Sequence, residues 1–273
     1  MQADLFKISR GEKRWIVIII VFIALLWCLP IYSVITNSLK FAGFSNYTYV
    51  LSHPVQNVPF PSFFVNSFIC AIGSSSLCVF ISAMSGFAFS KIRFTGHKFL
   101  FNIVLMCLAV SGPIMLVPFY YILKAIGLYN TYLAVILPEV VMTLPFGVLM
   151  MRNFFDGLPN EMMESANLDG ANMWKVFSRV YLPLAKPALI NLCVLQIMWS
   201  FQDFLLPLMF LTSPKLYTAT VAVNAFKGVY GVTAANLGRY NAALVLIGLP
   251  SVLVFVFAQK YIVNGITTGA IKD

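Results

Sequence analysis

Apolar residues in this chain come in long runs separated by short polar gaps, and the length of the runs sets the fold. Runs at about 15–36, 66–90, 99–123, 132–151, 188–211 and 241–261 each approach or exceed the roughly 20 residues a helix needs to cross a bilayer. Backbone polar groups inside hydrocarbon must be paired within their own segment, so such runs predict helices. The expected fold is all-α, a polytopic membrane protein with six transmembrane helices in one domain spanning residues 1–273 of the chain. The first run exceeds the apolar core of a signal peptide and lacks a small-residue cleavage site, so it is expected to stay as an anchor.

Two of the runs carry their own breaks. Gly112-Pro113 and Pro118 should interrupt the third helix twice, and Pro138 and Pro145 the fourth, because proline removes a backbone donor and crowds the preceding turn. These four prolines are hinge candidates, or devices of shape only. The second run places Ser67, Ala71, Ser74, Ser75, Cys78, Ser82, Ser85 and Gly86 at helical spacing, a small-residue face suited to close helix packing in lipid.

Charge gives the runs a direction. Thirteen of the 18 Lys and Arg fall before the first run or in alternate gaps from it, and five in the others. Basic residues collect on the cytoplasmic side, so both termini are expected there. The net charge of +9 is therefore a topology signal; it does not point to nucleic acid. Cys28, Cys70, Cys78, Cys107 and Cys193 lie inside apolar runs and are expected to be buried hydrophobes. Asn66 and Asn102, near predicted helix starts, are expected to cap or to sit at the interface.

The longest charge-bearing interruption runs from Leu158 to Pro187, within an inward gap at 152–187. Pro159, Asn160 and Glu161 suit a helix start, where a missing N–H costs nothing and acids face the positive helix end. Gly170 is a left-handed stop, and Ala171 to Val180 can form a second helix bounded by Pro183 and Pro187.

Within this segment Glu164-Ser165-Ala166, three residues, Gly170, nine residues and Val180-Tyr181-Leu182-Pro183 resemble the cytoplasmic EAA loop of ABC-importer permeases. The resemblance extends to Asn66-Ser67-Phe68, Leu144-Pro145-Phe146, Trp199 to Phe204 and the tail from Gln259 to Lys272. It is similar throughout to carbohydrate permeases of the maltose-importer type, specifically their smaller second subunit. The resemblance implies a bacterial inner-membrane location and a loop that seats on an ATPase. Glu161, Glu164, Ser165, Ala166, Asp169 and Gly170 would form the coupling contact, with Met162, Met163 and Leu168 adding apolar surface. It also implies a homologous second permease, an ATP-binding-cassette ATPase dimer, an extracytoplasmic solute-binding protein and a carbohydrate substrate. No cofactor is expected on this chain, because ATP and Mg belong to the partner ATPase. The polar loop at 212–240 would meet the binding protein or form a lid over the pore, and the tail from Asn264 would reach the ATPase or fray.

Independently of the resemblance, no phosphate-binding Gly-Lys-Ser/Thr loop, His-Glu-x-x-His or nucleophile-base set occurs, so the chain is expected not to hydrolyse ATP or a peptide itself, and any driven transport would draw its energy from a partner or an ion gradient. Gln196, Trp199, Ser200 and Asp203 fall at i, i+3, i+4 and i+7, one stripe on an otherwise apolar helix. An intramembrane carboxylate is costly unless it faces water or a partner. The stripe offers hydrogen bonds and an aromatic face for a sugar, or else clasps a neighbouring helix. Glu139 either lines the same pathway or is solvated near the outer interface, the second being the preferred expectation. The competing functions are an ion-gradient-driven secondary transporter, which predicts paired intramembrane acids and bases, and an importer of a non-sugar solute.

Overall fold

A computed structural model of the chain describes residues 10–227, 233 and 236–270, with side chains described from 11 to 227, at 233 and from 236 to 259. Apart from an isolated Val55–Val58 bridge, the regular structure among the described residues is helical. Among the described residues four helices are long and apolar enough to cross a membrane, and two further bent pairs raise the number to six if each pair is one span.

One compact unit comprises Met1–Val50 with Ala225–Leu246. Its α1 (Arg10–Ser38) leaves an almost unbroken belt of bulky residues exposed, from Trp15 to Tyr32, as expected of a helix whose solvent is lipid. Cys28 is exposed there and Cys107 elsewhere, which corrects the expectation that all five cysteines are buried. The short α2 (Ser45–Ser52) follows a turn held by Asn46, whose amide donates to the Ser38 and Lys40 carbonyls at 2.9 and 3.0 Å. Arg239 lies over the Tyr49 ring at 3.7 Å in the same unit.

The second unit, Leu51–Asn224 with Ile247–Asp273, is built on two helices. α3 (Phe60–Lys91) begins six residues before the predicted span, because Pro61 sits in its first turn, where proline is pre-organised for a helix. It crosses α6 (Leu133–Asp156) at close range: a side chain on Gly86 would come within 2.6 Å of Met151 Cβ and 2.8 Å of the Arg152 backbone nitrogen. The small-residue stripe predicted on α3 is buried and serves several neighbours: Cys78, Ser82 and Gly86 meet α6, Ser75 donates to the Cys193 carbonyl, and Ser67 accepts from the Ala219 backbone nitrogen.

The third span is two helices, α4 (His97–Cys107) and α5 (Gly112–Ala125), meeting at 103° where Gly112-Pro113 was expected to break the ladder. Pro118 makes no second break, and α6 runs on through both Pro138 and Pro145. Beyond α6 come α7 (Glu161–Leu168), α8 (Met173–Lys175), a π-helical stretch at Val176–Tyr181 and α9 (Leu182–Leu184). The predicted second helix of the segment thus continues past Val180 through Pro183, which sits in a first turn. α10 (Lys186–Gln202) leaves at 75° to this segment. The fifth span then ends earlier than predicted and restarts as α11 (Leu205–Phe210), followed by α12 (Ala219–Ala222). α13 (Leu237–Ala270) is longer than its predicted span, its backbone staying helical over the stretch from Asn264 that was expected to be a tail.

Candidate coupling elbow and membrane cavity

α7 is the elbow predicted between Pro159 and Gly170. Its first turn carries Glu161 and Glu164 at the end where the helix dipole favours acids. Its last turn closes through Gly170 at φ +76°, with Gly170 N donating to the Asn167 carbonyl and Ala171 N to the Ala166 carbonyl, both at 3.0 Å. Glu161, Glu164, Ser165, Asp169 and Gly170 are exposed, and Leu168 is 90% exposed. Ala166 and Met163 face the other way and pack against the chain's own core around Phe87, Phe155 and Tyr181. Those two residues therefore hold the helix to its body.

The elbow is latched to α3. Lys91, at the last turn of α3, donates from Nζ to the Leu158 carbonyl at 2.7 Å and to Asn160 Oδ1 at 2.8 Å. Tyr181, fully buried, donates its hydroxyl to the Pro159 carbonyl at 3.1 Å and packs its ring on Phe87 and Phe155. The carbonyls entering α7 are thus held by side chains from both flanking elements. Sequence reading missed Lys91 as a latch; the one available signal was a lysine directly after an apolar run, which equally marks an interface.

Within the spans, a cavity of about 180 Å³ gathers the intramembrane polar residues. Glu139 from α6, Gln196, Trp199 and Ser200 from α10, and Asp203 at the break all line it, with Pro113 at its α5 wall. Glu139 is only 6% exposed, which overturns the preferred expectation of a solvated position at the outer interface. It lies close to Ser74, Ser200 and Asp203, yet neither of its carboxyl oxygens has a geometrically satisfied hydrogen bond within the protein. The same holds for both amide atoms of Gln196, the Ser200 hydroxyl and Asp203 Oδ2. Burying such groups is costly, and Glu139, Ser74, Ser200 and Asp203 lie together as one buried polar cluster behind a mostly apolar cavity surface.

Asp203 departs from the predicted stripe. It ends α10 in an extended conformation, φ −67° and ψ 127°, so the i+7 helical relation to Gln196 is not realised. Its Oδ1 instead accepts from the Leu205 and Leu206 backbone nitrogens at 3.0 and 3.3 Å, satisfying the first turn of α11. One oxygen caps and the other is buried in the cluster with Glu139. Asn66 also differs from its expected capping role: buried inside α3, it donates to the Lys215 and Tyr217 carbonyls and accepts from the Tyr132 hydroxyl at 2.8–2.9 Å.

Bent helix pairs, a cavity lined by residues that include Glu139, Gln196, Ser200 and Asp203, and an exposed acidic elbow suit a membrane transport subunit. Residues 13–268 match the family described as binding-protein-dependent transport system inner membrane component. The chain belongs to that family: it is a multi-pass inner-membrane permease subunit of an ABC importer, which works with a binding protein and a separate ATPase. It is 35% identical over 228 residues to the trehalose/maltose transport system permease protein MalG of Thermococcus litoralis, covering 83% of this chain and 80% of that protein. It is 33% identical over 220 residues to a probable ABC transporter permease of Pyrococcus horikoshii, covering 81% and 78%. Its fold matches a chain of a bacterial ABC transporter that imports alginate, with a TM-score of 0.73 and 20% identity over 93% of this chain and 98% of that one. An ion-gradient mechanism is thereby set aside.

Proposed function

We propose that this subunit imports a sugar or oligosaccharide handed over by an extracytoplasmic binding protein, with the residue 159–183 segment seated on the cytoplasmic ATPase. The single observation that carries the coupling half is the elbow itself, an exposed acidic helix whose entrance is hydrogen-bonded to the body by Lys91 and Tyr181. Glu161, Glu164, Ser165 and Asp169 present hydrogen-bond acceptors and charge to a basic groove, and Leu168 adds apolar contact. Lys91 and Tyr181 pass any displacement of that helix to α3 and the α10 segment. α3 packs on α6, which carries Glu139 into the cavity. ATPase closure would then alternate access, with the α4–α5 break at Pro113 as the first place to bend. In this reading both termini are cytoplasmic, the second permease completes the pore, and the 212–240 loop faces the binding protein.

The substrate half is supported by the relative from Thermococcus litoralis, named for trehalose and maltose, and by an aromatic ring in the cavity wall. Trp199, 39% exposed and edge-on to Phe146 at 5.3 Å, supplies an aromatic face beside the unsatisfied amide of Gln196. The test is ATP-dependent uptake by the reconstituted complex with its binding protein and a panel of oligosaccharides, amino acids and polyols. Sugar uptake that Glu164→Lys reduces at least tenfold, with ATPase still present in the complex, is the expected result. Uptake confined to non-sugar solutes would sink the substrate assignment, and unaltered coupled uptake in Glu164→Lys would sink the elbow's role.

A further inference from the structure

A second pocket lies away from the cavity, where α3 hands over to α4 and α6 ends. It encloses about 660 Å³ and is lined by Arg93, His97, Lys98, Arg152 and Asp156 together with aromatic rings. That volume falls within the usual range for ligand pockets, about 300–1,000 Å³. Three permanent bases face one acid, so the pocket carries excess positive charge. Arg152 is oriented from beneath: its guanidinium lies 3.8 Å from the Phe101 ring centroid and its Nε sits 3.4 Å from Asp156 Oδ2 without completing a hydrogen bond. The Ser90 hydroxyl is buried at the same place and is also unsatisfied. His97 is committed elsewhere, its Nε2 meeting the Phe89 carbonyl.

The rim of this basic pocket is greasy. Phe99 is 68% exposed, and Leu100 and Ile103 continue that exposure along the face of α4. Positive charge beside an exposed apolar helix is the pattern that holds an anionic headgroup while acyl chains lie along the helix. A soluble anion would use the charge and leave the apolar strip bare.

We infer that the Arg93–Lys98–Arg152 pocket binds the headgroup of an anionic phospholipid, with its chains along α4. The site lies at the end of α6 that leads into the elbow, so its assignment to the inner leaflet rests on the cytoplasmic placement of α7 proposed above. The headgroup would tie the start of α4 to the end of α6. One wall of the importer's moving core would then be anchored to the surrounding lipid.

The experiment is native mass spectrometry of the purified importer complex, titrated with phosphatidylglycerol or phosphatidylcholine of the same chains. Phosphatidylglycerol should be retained at least about fivefold more strongly, and Arg93→Gln or Lys98→Gln should each weaken retention about fivefold, the equivalent of one lost basic contact near a charged headgroup. Arg93→Lys should keep most of the binding, and Lys13→Gln, which removes a charge outside the pocket, should change nothing. Equal retention of the two lipids, or unaltered retention in the pocket variants, overturns the proposal. So does competition by millimolar inorganic phosphate as effective as by lipid, which would make this a soluble-anion site. Loss of the ATPase from Arg93→Gln with lipid retained would overturn it in favour of a protein contact. Lipid retention is read without transport, so its failure leaves the coupling reading standing, and a misplaced elbow would show only in the leaflet.

Discussion

Asp203 shows how one side chain divides its two oxygens between structure and site. Oδ1 satisfies two orphan donors of α11, while Oδ2 is buried in the cluster with Glu139 and Ser200 behind the cavity wall. Asparagine keeps an acceptor for the cap and removes the charge; alanine removes both. Asp203→Ala should therefore lower the melting temperature of the purified complex, by a lost cap of about 1 kcal/mol, whereas Asp203→Asn should melt near wild type while changing uptake. Equal melting of the two variants would show that the cap contributes nothing. Gly170 makes a simpler case. At φ +76° with open space around its α-carbon, its alanine variant meets no clash but adopts a left-handed backbone that costs about 1 kcal/mol. Gly170→Ala should weaken binding-protein-stimulated ATP hydrolysis a few-fold without dispersing the complex, measured as ATPase rate per assembled importer. Gly170 was legible because a helix stop is local chemistry. The setting of Glu139 was not, since whether a carboxylate in an apolar run meets water or a cavity depends on helices distant in sequence.

At the scale of elements, the breaks are the functional features and only some announce themselves. Gly112-Pro113 places a flexible residue before one that starts helices well, and the chain turns by 103° there. Pro118, Pro138 and Pro145 carry the same chemical penalty, yet α5 and α6 continue through them, because neighbouring helices hold the backbone on course. The break after Gln202 was overlooked for the opposite reason. A continuous apolar run concealed it, although Asp203 followed by Pro207 has the makings of a new helix start: a capping oxygen, then a proline in the first turn. The latch between α3 and α7 likewise depends on a contact across the sequence, and it yields a separable prediction. Lys91→Met keeps the aliphatic stem and removes both hydrogen bonds to the elbow entrance. It should leave the ATPase bound while lowering the uptake gained per ATP hydrolysed at least several-fold. A variant with normal stoichiometry of transport to hydrolysis would show that motion reaches the core by another route.

Across the whole molecule, the side of the membrane on which each segment lies bears on the direction of transport. The proposed topology has the elbow segment inside and the 212–240 loop outside, the placement that the charge asymmetry favours. The helices obey the same alternation: α3 ends at Lys91, beside the elbow entrance, and begins at Phe60, with Asn66 a few residues in bonded to the Lys215 and Tyr217 carbonyls. The elbow latch and the Lys215–Tyr217 segment therefore sit toward opposite ends of one spanning helix. That arrangement makes a strict prediction for two engineered thiols. Ser165→Cys, exposed on the elbow, should react with a membrane-impermeant maleimide only after the membrane is opened, and bound ATPase should slow the reaction. A cysteine at exposed Thr212 should react in intact cells stripped of their outer barrier. Labelling of both positions from the same side would contradict the alternation of the helices as well as the charge pattern. Labelling from opposite sides in the reverse sense would keep the fold and overturn the cytoplasmic placement of the coupling segment.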